Sequence, residues 1–360
     1  MTETNYNIAI IGQTGVGKSS LINYLFGDNV AKTGVGKPVT TNGFHEIKHF
    51  IKDMPVNIYD SWGLEVGKED EWQNDLDEEL KKRGIDKPAS EWFHSVFYCI
   101  SAASARLQDV DCAIIRKLIS KNYKVSVVLT KADTLSEEDE IEFIKVIAEE
   151  LGKDIAIIPI CSEQKKTRAG EILPFGKEKV ENQSLVDLID SLVLRIPKHC
   201  EQIMLDELQD WQREQKIKIE DKMSFFSMAS PSEIQKELSN SSKEIVRVIS
   251  DKGGKAKKNA LNQYAFIANH LGDQEFQSLI GKSISDNYKT GFSFYVLALN
   301  LISILIPLIF SLWNKKQQTE AMCESVDDFV SQLTEIIQKD TKELAKSLNV
   351  IKQQVTENLL

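Results

Sequence analysis

The first residues whose types and spacing could do chemistry form the octapeptide GQTGVGKS, Gly12–Ser19. Its glycines let the backbone curl so that N–H groups converge on one point, a geometry that binds phosphate. An apolar run precedes the octapeptide and helical spacing follows it, so a helix amino terminus adds its positive dipole end. The pattern matches GxxxxGK[ST], in which we expect Lys18 to reach the β- and γ-phosphates and Ser19 to bind Mg²⁺. The predicted phosphate-binding residues are Gly12, Thr14, Gly15, Val16, Gly17, Lys18, Ser19 and Ser20.

The tetrapeptide TKAD, Thr130–Asp133, directly follows the apolar run 125–129 and could recognise a base. A carboxylate such as Asp133 can accept hydrogen bonds from guanine N1–H and from the guanine 2-amino group. Adenine would leave that carboxylate unpaired, which gives strong discrimination. We expect the Lys131 stem to lie along the base and the Thr130 hydroxyl to tie this loop to the phosphate loop. A backbone N–H near Ser162 could contact guanine O6, although a simple turn explains that segment equally well.

Two further segments have the residues of a nucleotide switch. Asp60 ends the strand-like run 54–59 and is predicted to hold the Mg²⁺ shell, while the Gly63 N–H would meet the γ-phosphate. In the segment PVTT, one threonine would bind Mg²⁺ and the γ-phosphate only in the triphosphate state, and we favour Thr40 over Thr41. The hydrolytic step is therefore assigned to Lys18, Thr40 and Gly63, and the metal to Ser19, Thr40 and Asp60.

The elements that must position these residues alternate along the first half of the chain. Short apolar runs predict buried strands, and segments of helical spacing lie between most of them. This order predicts a mostly parallel, six-stranded α/β sheet covered on both faces. The predicted strands are 6–11, 44–51, 54–59, 96–100, 125–129 and 155–160, and the predicted helices include 69–83, 108–121, 137–151 and 184–196.

After Pro197 the pattern becomes entirely helical. We predict a domain over residues 1–198 that binds the nucleotide and an all-α region over 199–360. Pro197 is expected to end the first block, and the glycine- and lysine-rich stretch 251–258 is expected to form a loop. Ser230-Pro231-Ser232-Glu233 has the composition of a capped helix start.

A stretch of 22 uncharged residues, Phe292–Trp313, lies within the helical region between Lys289 and Lys315. Its length is sufficient to cross a bilayer. Polar residues inside the stretch and Pro307 oppose a simple spanning helix. A spanning helix, a monotopic or re-entrant insertion and a buried bundle helix therefore all remain open, and membrane contact is one of the expected properties.

The composition restricts the classes of function. The 360-residue chain has a formal net charge of −10, which argues against non-specific binding of DNA or RNA. Its five cysteines are scattered without metal-ligand spacing, which favours reduced thiols and a cytoplasmic location. The amino terminus lacks the basic region of a signal peptide.

The phosphate loop, PVTT, the DSWGLE segment and TKAD together resemble the G domains of translation-factor-related GTPases, including Era/TrmE-like, septin-like, immunity-related and 50S ribosome-binding types. The resemblance covers about residues 5–198. It implies a GTP/GDP cycle with Mg²⁺ and one antiparallel strand in the sheet.

The sequence departs from Ras-like proteins at Leu64, where those proteins place a water-orienting glutamine. We therefore expect slow hydrolysis by the chain alone, and the resemblance implies completion by a partner or by a homodimer through the G domain. The favoured function is a molecular switch with a helical effector region. The alternatives are a dynamin-like or immunity-related self-assembling membrane scaffold and a ribosome-associated GTPase.

Overall fold

The computed structural model describes residues 6–27, 43–51, 54–65, 67–167, 170–223, 230–271, 298 and 314–359. The chain divides into two compact units, one reaching Leu194 and including the last few residues, the other spanning Arg195–Gln354. Our predicted domain boundary after residue 198, where the sequence pattern becomes entirely helical, remains a prediction.

The first unit is built on a six-stranded sheet, as predicted. The strand order is β2-β3-β1-β4-β5-β6, in which β2 is antiparallel to β3 and every other pairing is parallel. The carboxyl ends of the parallel strands therefore meet at one edge, where α/β sheets bind ligands. The strands are β1 Tyr6–Gly12, β2 Phe44–Ile51, β3 Met54–Ser61, β4 Ser95–Ser101, β5 Val125–Thr130 and β6 Ala156–Pro159.

Helices cover both faces of this sheet. They are α1 Lys18–Phe26, α2 Glu69–Lys82, α3 Asp109–Ser120, α4 Glu137–Leu151 and α5 Lys177–Met223. Because successive strand residues point to opposite sides, neighbours on β4 meet different helices. Val96 and Tyr98 join the buried cluster that also contains side chains of α2, α3 and α4. Ser95 points to the other face, where its hydroxyl donates to Asp187 of α5.

A buried carboxylate attaches α5 to the sheet. Ser95 Oγ and Ser126 Oγ donate to Asp187 Oδ2 at 3.0 and 2.8 Å, and Gln183 Nε2 donates to Oδ1 at 2.8 Å. Burial raises the pKa of Asp187, although these hydrogen bonds and Lys124 favour its ionised form. Because both carboxylate oxygens have partners, the buried polar group is satisfied.

The second unit contains α5 beyond Leu194, α6 Pro231–Leu271 and, as far as Gln354, α7 Lys315–Leu359. The predicted cap of α6 is present, since Ser230 Oγ accepts from the Glu233 N–H at 3.3 Å and the Glu233 carboxylate accepts from the Ser230 N–H at 3.0 Å. Apolar packing joins α5 to α7, where the Trp211 and Phe329 ring centroids lie 5.3 Å apart.

Two predicted helix breaks are wrong. Helix α5 continues through Pro197, because the neighbouring Ile196 and Cys200 are fully buried and their packing outweighs the lost backbone hydrogen bond. The stretch 251–258 lies inside α6 rather than in a loop. There the buried Gly253 packs closely against Met204, and the Lys257 ammonium forms a buried ion pair with Asp340.

A short antiparallel hairpin, β7 Lys165–Thr167 with β8 Gly170–Ile172, was not predicted. Each strand has three residues and little apolar character, so periodicity could not detect it. Nearly all of the uncharged stretch 292–313 lies outside the described residues, so membrane contact there remains a prediction. Within the part of the chain that the structure describes, no helix is long and apolar enough to cross a membrane.

Candidate functional site

The phosphate loop curls where β1 ends. A Cβ added to Gly12 would lie 2.5 Å from the Cys99 carbonyl oxygen on the neighbouring strand, so only glycine fits there. Gly15 and Gly17 have backbone φ values of 78° and 103°, which residues with a side chain rarely adopt. Gly17 is the N-cap of α1, so the loop leads directly into a helix amino terminus. The local conformation is therefore the anion-binding turn that the sequence predicted.

Lys18 lies against this loop and is largely buried. Its Nζ donates to the Gly12 and Gln13 carbonyl oxygens, both at 3.0 Å. Burial lowers the pKa of Lys18, while the Asp60 carboxylate opposes this shift. The ammonium is thus positioned at the phosphate loop, close to the acidic end of β3.

Asp60 is only 4 % exposed. Burial raises its pKa to about 6, although Lys18 and His45 favour the charged form. Its Oδ1 is buried and has no hydrogen-bond partner among the described residues. A buried carboxylate oxygen without a partner is a suitable ligand for a hard cation. The predicted second metal ligand, Ser19, lies at the first turn of α1 and is half-buried.

The segment after β3 contacts the phosphate loop through its backbone. The Thr14 N–H donates to the Leu64 carbonyl oxygen at 3.0 Å, and the Leu64 N–H donates to the Gly12 carbonyl oxygen at 3.4 Å. A Cβ added to Gly63 would lie 2.5 Å from the Thr14 Cα, so glycine is required for this approach. The structure therefore brings Gly63 to the phosphate loop.

A second polar contact supports the loop and was not predicted. Gln13 Nε2 donates to both carboxylate oxygens of Asp111 on α3, at 3.0 and 3.1 Å. The Tyr98 hydroxyl donates to the same carboxylate at 2.6 Å. Because Gln13 and Asp111 are far apart in the sequence, no local pattern could indicate their contact.

TKAD lies beside the phosphate loop. Thr130 Oγ1 donates to the Val16 carbonyl oxygen, and Lys131 Nζ donates to the Gly15 carbonyl oxygen at 2.9 Å. The predicted tie between the two loops is thus present, with the lysine stem extending across the intervening crevice. The crevice is lined by Gly17, Ser20, Thr130, Lys131, Asp133, Cys161, Ser162, Glu163 and Lys165.

Two lining residues, Glu163 and Lys165, were not predicted. Glu163 Oε1 accepts from Ser20 Oγ at 3.0 Å and so links the loop after β6 to α1. Lys165 Nζ lies 2.6 Å from Asp133 Oδ2. Burial opposes ionisation of Asp133, but hydrogen bonds from Lys165 and Cys161, together with the Lys165 charge and a backbone hydrogen bond, hold the pKa of Asp133 below its usual value. Thr40 and Thr41 lie outside the described residues, so their predicted role is unchanged.

Together the fold and the site define the chain's first unit as a P-loop G domain of the GTPase class. Residues 7–131 match the model of the 50S ribosome-binding GTPase family. This match ends before Asp133 and so does not include the predicted base-binding carboxylate.

Septins are among the relatives. Rat septin-9 (Rattus norvegicus) is 29% identical over 169 residues, covering 41% of this chain and 30% of septin-9. Human septin-14 (Homo sapiens) is 29% identical over 196 residues, covering 48% of this chain and 45% of septin-14. The chain thus spans less than half the length of either relative.

Solved structures with some similarity include Era from Aquifex aeolicus bound to GDP and aluminium fluoride. It has a TM-score of 0.36 and 23% identity, covering 44% of this chain and 52% of Era. Toc33 from Arabidopsis thaliana with Mg²⁺ and GMPPNP has a TM-score of 0.38 and 19% identity, covering 53% of this chain and 86% of Toc33.

Proposed function

We propose that the chain binds guanine nucleotides and hydrolyses GTP to GDP as a molecular switch. One observation carries this proposal: the Asp133 carboxylate lies in the same crevice as the phosphate loop. The bonds from Thr130 and Lys131 hold the two loops at a fixed separation. One purine nucleotide can therefore reach both with its phosphates and its base.

Guanine selectivity follows from the bonding capacity of Asp133. Its side chain is 4 % exposed, and its Oδ1 has no hydrogen-bond partner in the described part of the chain. The N1–H and 2-amino group of guanine are neighbouring donors that match two carboxylate oxygens. Adenine lacks both donors at these positions, so its binding would leave the carboxylate desolvated and unpaired. The Ser162 backbone N–H is assigned to guanine O6.

The hydrolytic chemistry is assigned to groups around the phosphate loop. Lys18 and the loop N–H groups would neutralise charge on the β- and γ-phosphates during in-line attack by water. Ser19 and Asp60 would hold Mg²⁺ with Thr40, and the bound ion would supply further positive charge to phosphate oxygens. The N–H of Gly63 would sense the γ-phosphate.

Hydrolysis by the isolated chain is expected to be slow. Leu64 is 7 % exposed and its side chain belongs to the core, so it cannot orient an attacking water. We assign the orientation of the attacking water to a partner protein, and we favour a second copy of the chain as that partner. The helical unit would then serve as the effector region of a cytoplasmic switch. A membrane scaffold and ribosome association remain the alternatives.

The test is equilibrium binding of labelled GTP, GDP and ATP to the full chain. We expect a strong preference for guanine nucleotides and a loss of at least about tenfold in GDP affinity for Asp133→Asn, since an amide NH₂ would face guanine donors. Asp154→Asn, an exposed substitution of the same kind, should bind like the wild type. Equal affinity for ATP and GTP would remove the proposal.

A further inference from the structure

The hairpin that follows the base-binding loop contributes a cation to the crevice. Lys165 begins β7, and its Nζ lies 2.6 Å from Asp133 Oδ2. This distance is that of a charge-assisted hydrogen bond. The lysine therefore donates to one of the two carboxylate oxygens that would accept hydrogen bonds from guanine in the proposed function.

The same contact covers the carboxylate. The Asp133 side chain is 4 % exposed, whereas the Lys165 side chain is 38 % exposed. Access to the buried group is thus limited by a flexible chain that is itself open to solvent. Guanine presents two partly positive N–H donors along the edge that must meet Asp133, and an ammonium on the same carboxylate repels them. The base and Lys165 compete for one acceptor.

The hairpin is directly connected to the residues around the base. Cys161 and Phe175 exchange backbone hydrogen bonds of 3.2 and 3.0 Å, which close the hairpin where the base-binding loop begins. Gln164 and Glu171 bond through their side chains across the hairpin. A displacement of Lys165 therefore takes place in the same segment that presents Ser162 and Glu163 to the crevice.

We infer that Lys165 is an affinity-setting residue that pairs with Asp133 in the nucleotide-free chain and must be displaced when a guanine base binds. The inference rests on the proposed function and adds a residue that weakens nucleotide binding. Breaking the ion pair offsets part of the gain from the guanine bonds. Removing the lysine deprives the buried Asp133 of its charged partner in the free chain, so the free state loses stability and the bound state does not.

The test compares Lys165→Met with Lys166→Met in the full chain. Both changes remove one positive charge and keep a side chain of similar length. Lys166 is exposed on the next position of β7, where strand geometry directs it to the opposite face. We expect Lys165→Met to bind labelled GDP about tenfold more tightly, as for the loss of one charge-assisted hydrogen bond in the free state. Lys166→Met should match the wild type.

Lys165→Arg provides a second variant, because it keeps the charge and the donor and should restore a GDP affinity close to that of the wild type. A GDP affinity of Lys165→Met that is unchanged or weaker would overturn the inference while leaving the proposed function intact. A wild-type chain that binds no GDP would instead overturn the proposed function and the inference with it.

Discussion

At the scale of single residues, the phosphate site places two opposite charges where burial disfavours both. Burial lowers the pKa of Lys18 and raises that of Asp60 to about 6, and each group partly offsets the shift of the other. Such perturbed pairs occur often at functional sites. An ion that binds Asp60 would relieve the cost of its buried negative charge.

The raised pKa of Asp60 predicts a pH dependence of stability. The ordinary pKa is 3.8 and the folded value is about 6, so the folded chain binds more protons between these values. Its contribution to stability is present below about pH 4 and is lost as the pH rises through about 6. We expect Asp60→Asn to gain about 1–3 kcal/mol of unfolding free energy relative to the wild type between these limits.

Urea unfolding of both chains without nucleotide or divalent cation, measured from about pH 4 to 7, checks this prediction. Other carboxylates titrate equally in the two chains, so the difference between the curves isolates Asp60. A difference in unfolding free energy that stays constant over this pH range would contradict the prediction.

The residues assigned to phosphate and base could be selected from the sequence because their proposed chemistry requires fixed residue types in a fixed order. Gly12–Ser19 and Thr130–Asp133 meet in one crevice as this order implied. Lys165 could not be found in the same way. A lysine on a three-residue strand has no periodic signal, and its contact with Asp133 depends on the path of the hairpin.

At the scale of elements, the strands were predictable because buried parallel strands are short apolar runs bounded by polar residues. The helix break at Pro197 and the loop at the glycine pair 253–254 were predicted wrongly, because tertiary packing outweighs local propensity at both places. The two glycines differ in their surroundings. A Cβ on Gly253 would lie 2.6 Å from Met204 Sδ, whereas a Cβ on Gly254 would meet nothing within 4 Å.

This difference predicts unequal effects of one kind of substitution in α6. Gly254→Ala should stabilise the chain by about 0.5–1 kcal/mol, the usual gain from replacing glycine in an exposed helix. Gly253→Ala has the same propensity gain, but it should be less stable than Gly254→Ala by about 1–3 kcal/mol, because the new methyl group overpacks the contact with Met204. Thermal or urea unfolding of the two variants beside the wild type gives both values. If Gly253→Ala is as stable as Gly254→Ala, the close packing of α6 against α5 is wrong.

At the scale of the whole molecule, the G domain and the helical unit have different support. The family match covers residues 7–131, within the first unit, and neither septin described above is covered over more than half its length. The support for the nucleotide site beyond this match is its own geometry, and the role of residues 199–360 as an effector remains a proposal. In the proposed hydrolytic site, the buried Leu64 cannot supply a polar side chain to orient the attacking water.

An incomplete site that a second copy completes predicts GTP hydrolysis that depends on protein concentration. The turnover per molecule should rise as the chain is concentrated at saturating GTP and Mg²⁺, and it should level off once the dimer predominates. A tenfold rise corresponds to about 1.4 kcal/mol of added transition-state stabilisation.

Phosphate release measured across a wide range of protein concentrations tests this dependence, with Lys18→Ala as the control for contaminating hydrolases. Light scattering under the same conditions should show the mass increase at the concentrations where turnover rises. A rate per molecule that stays constant while the mass doubles would show that the dimer does not complete the site.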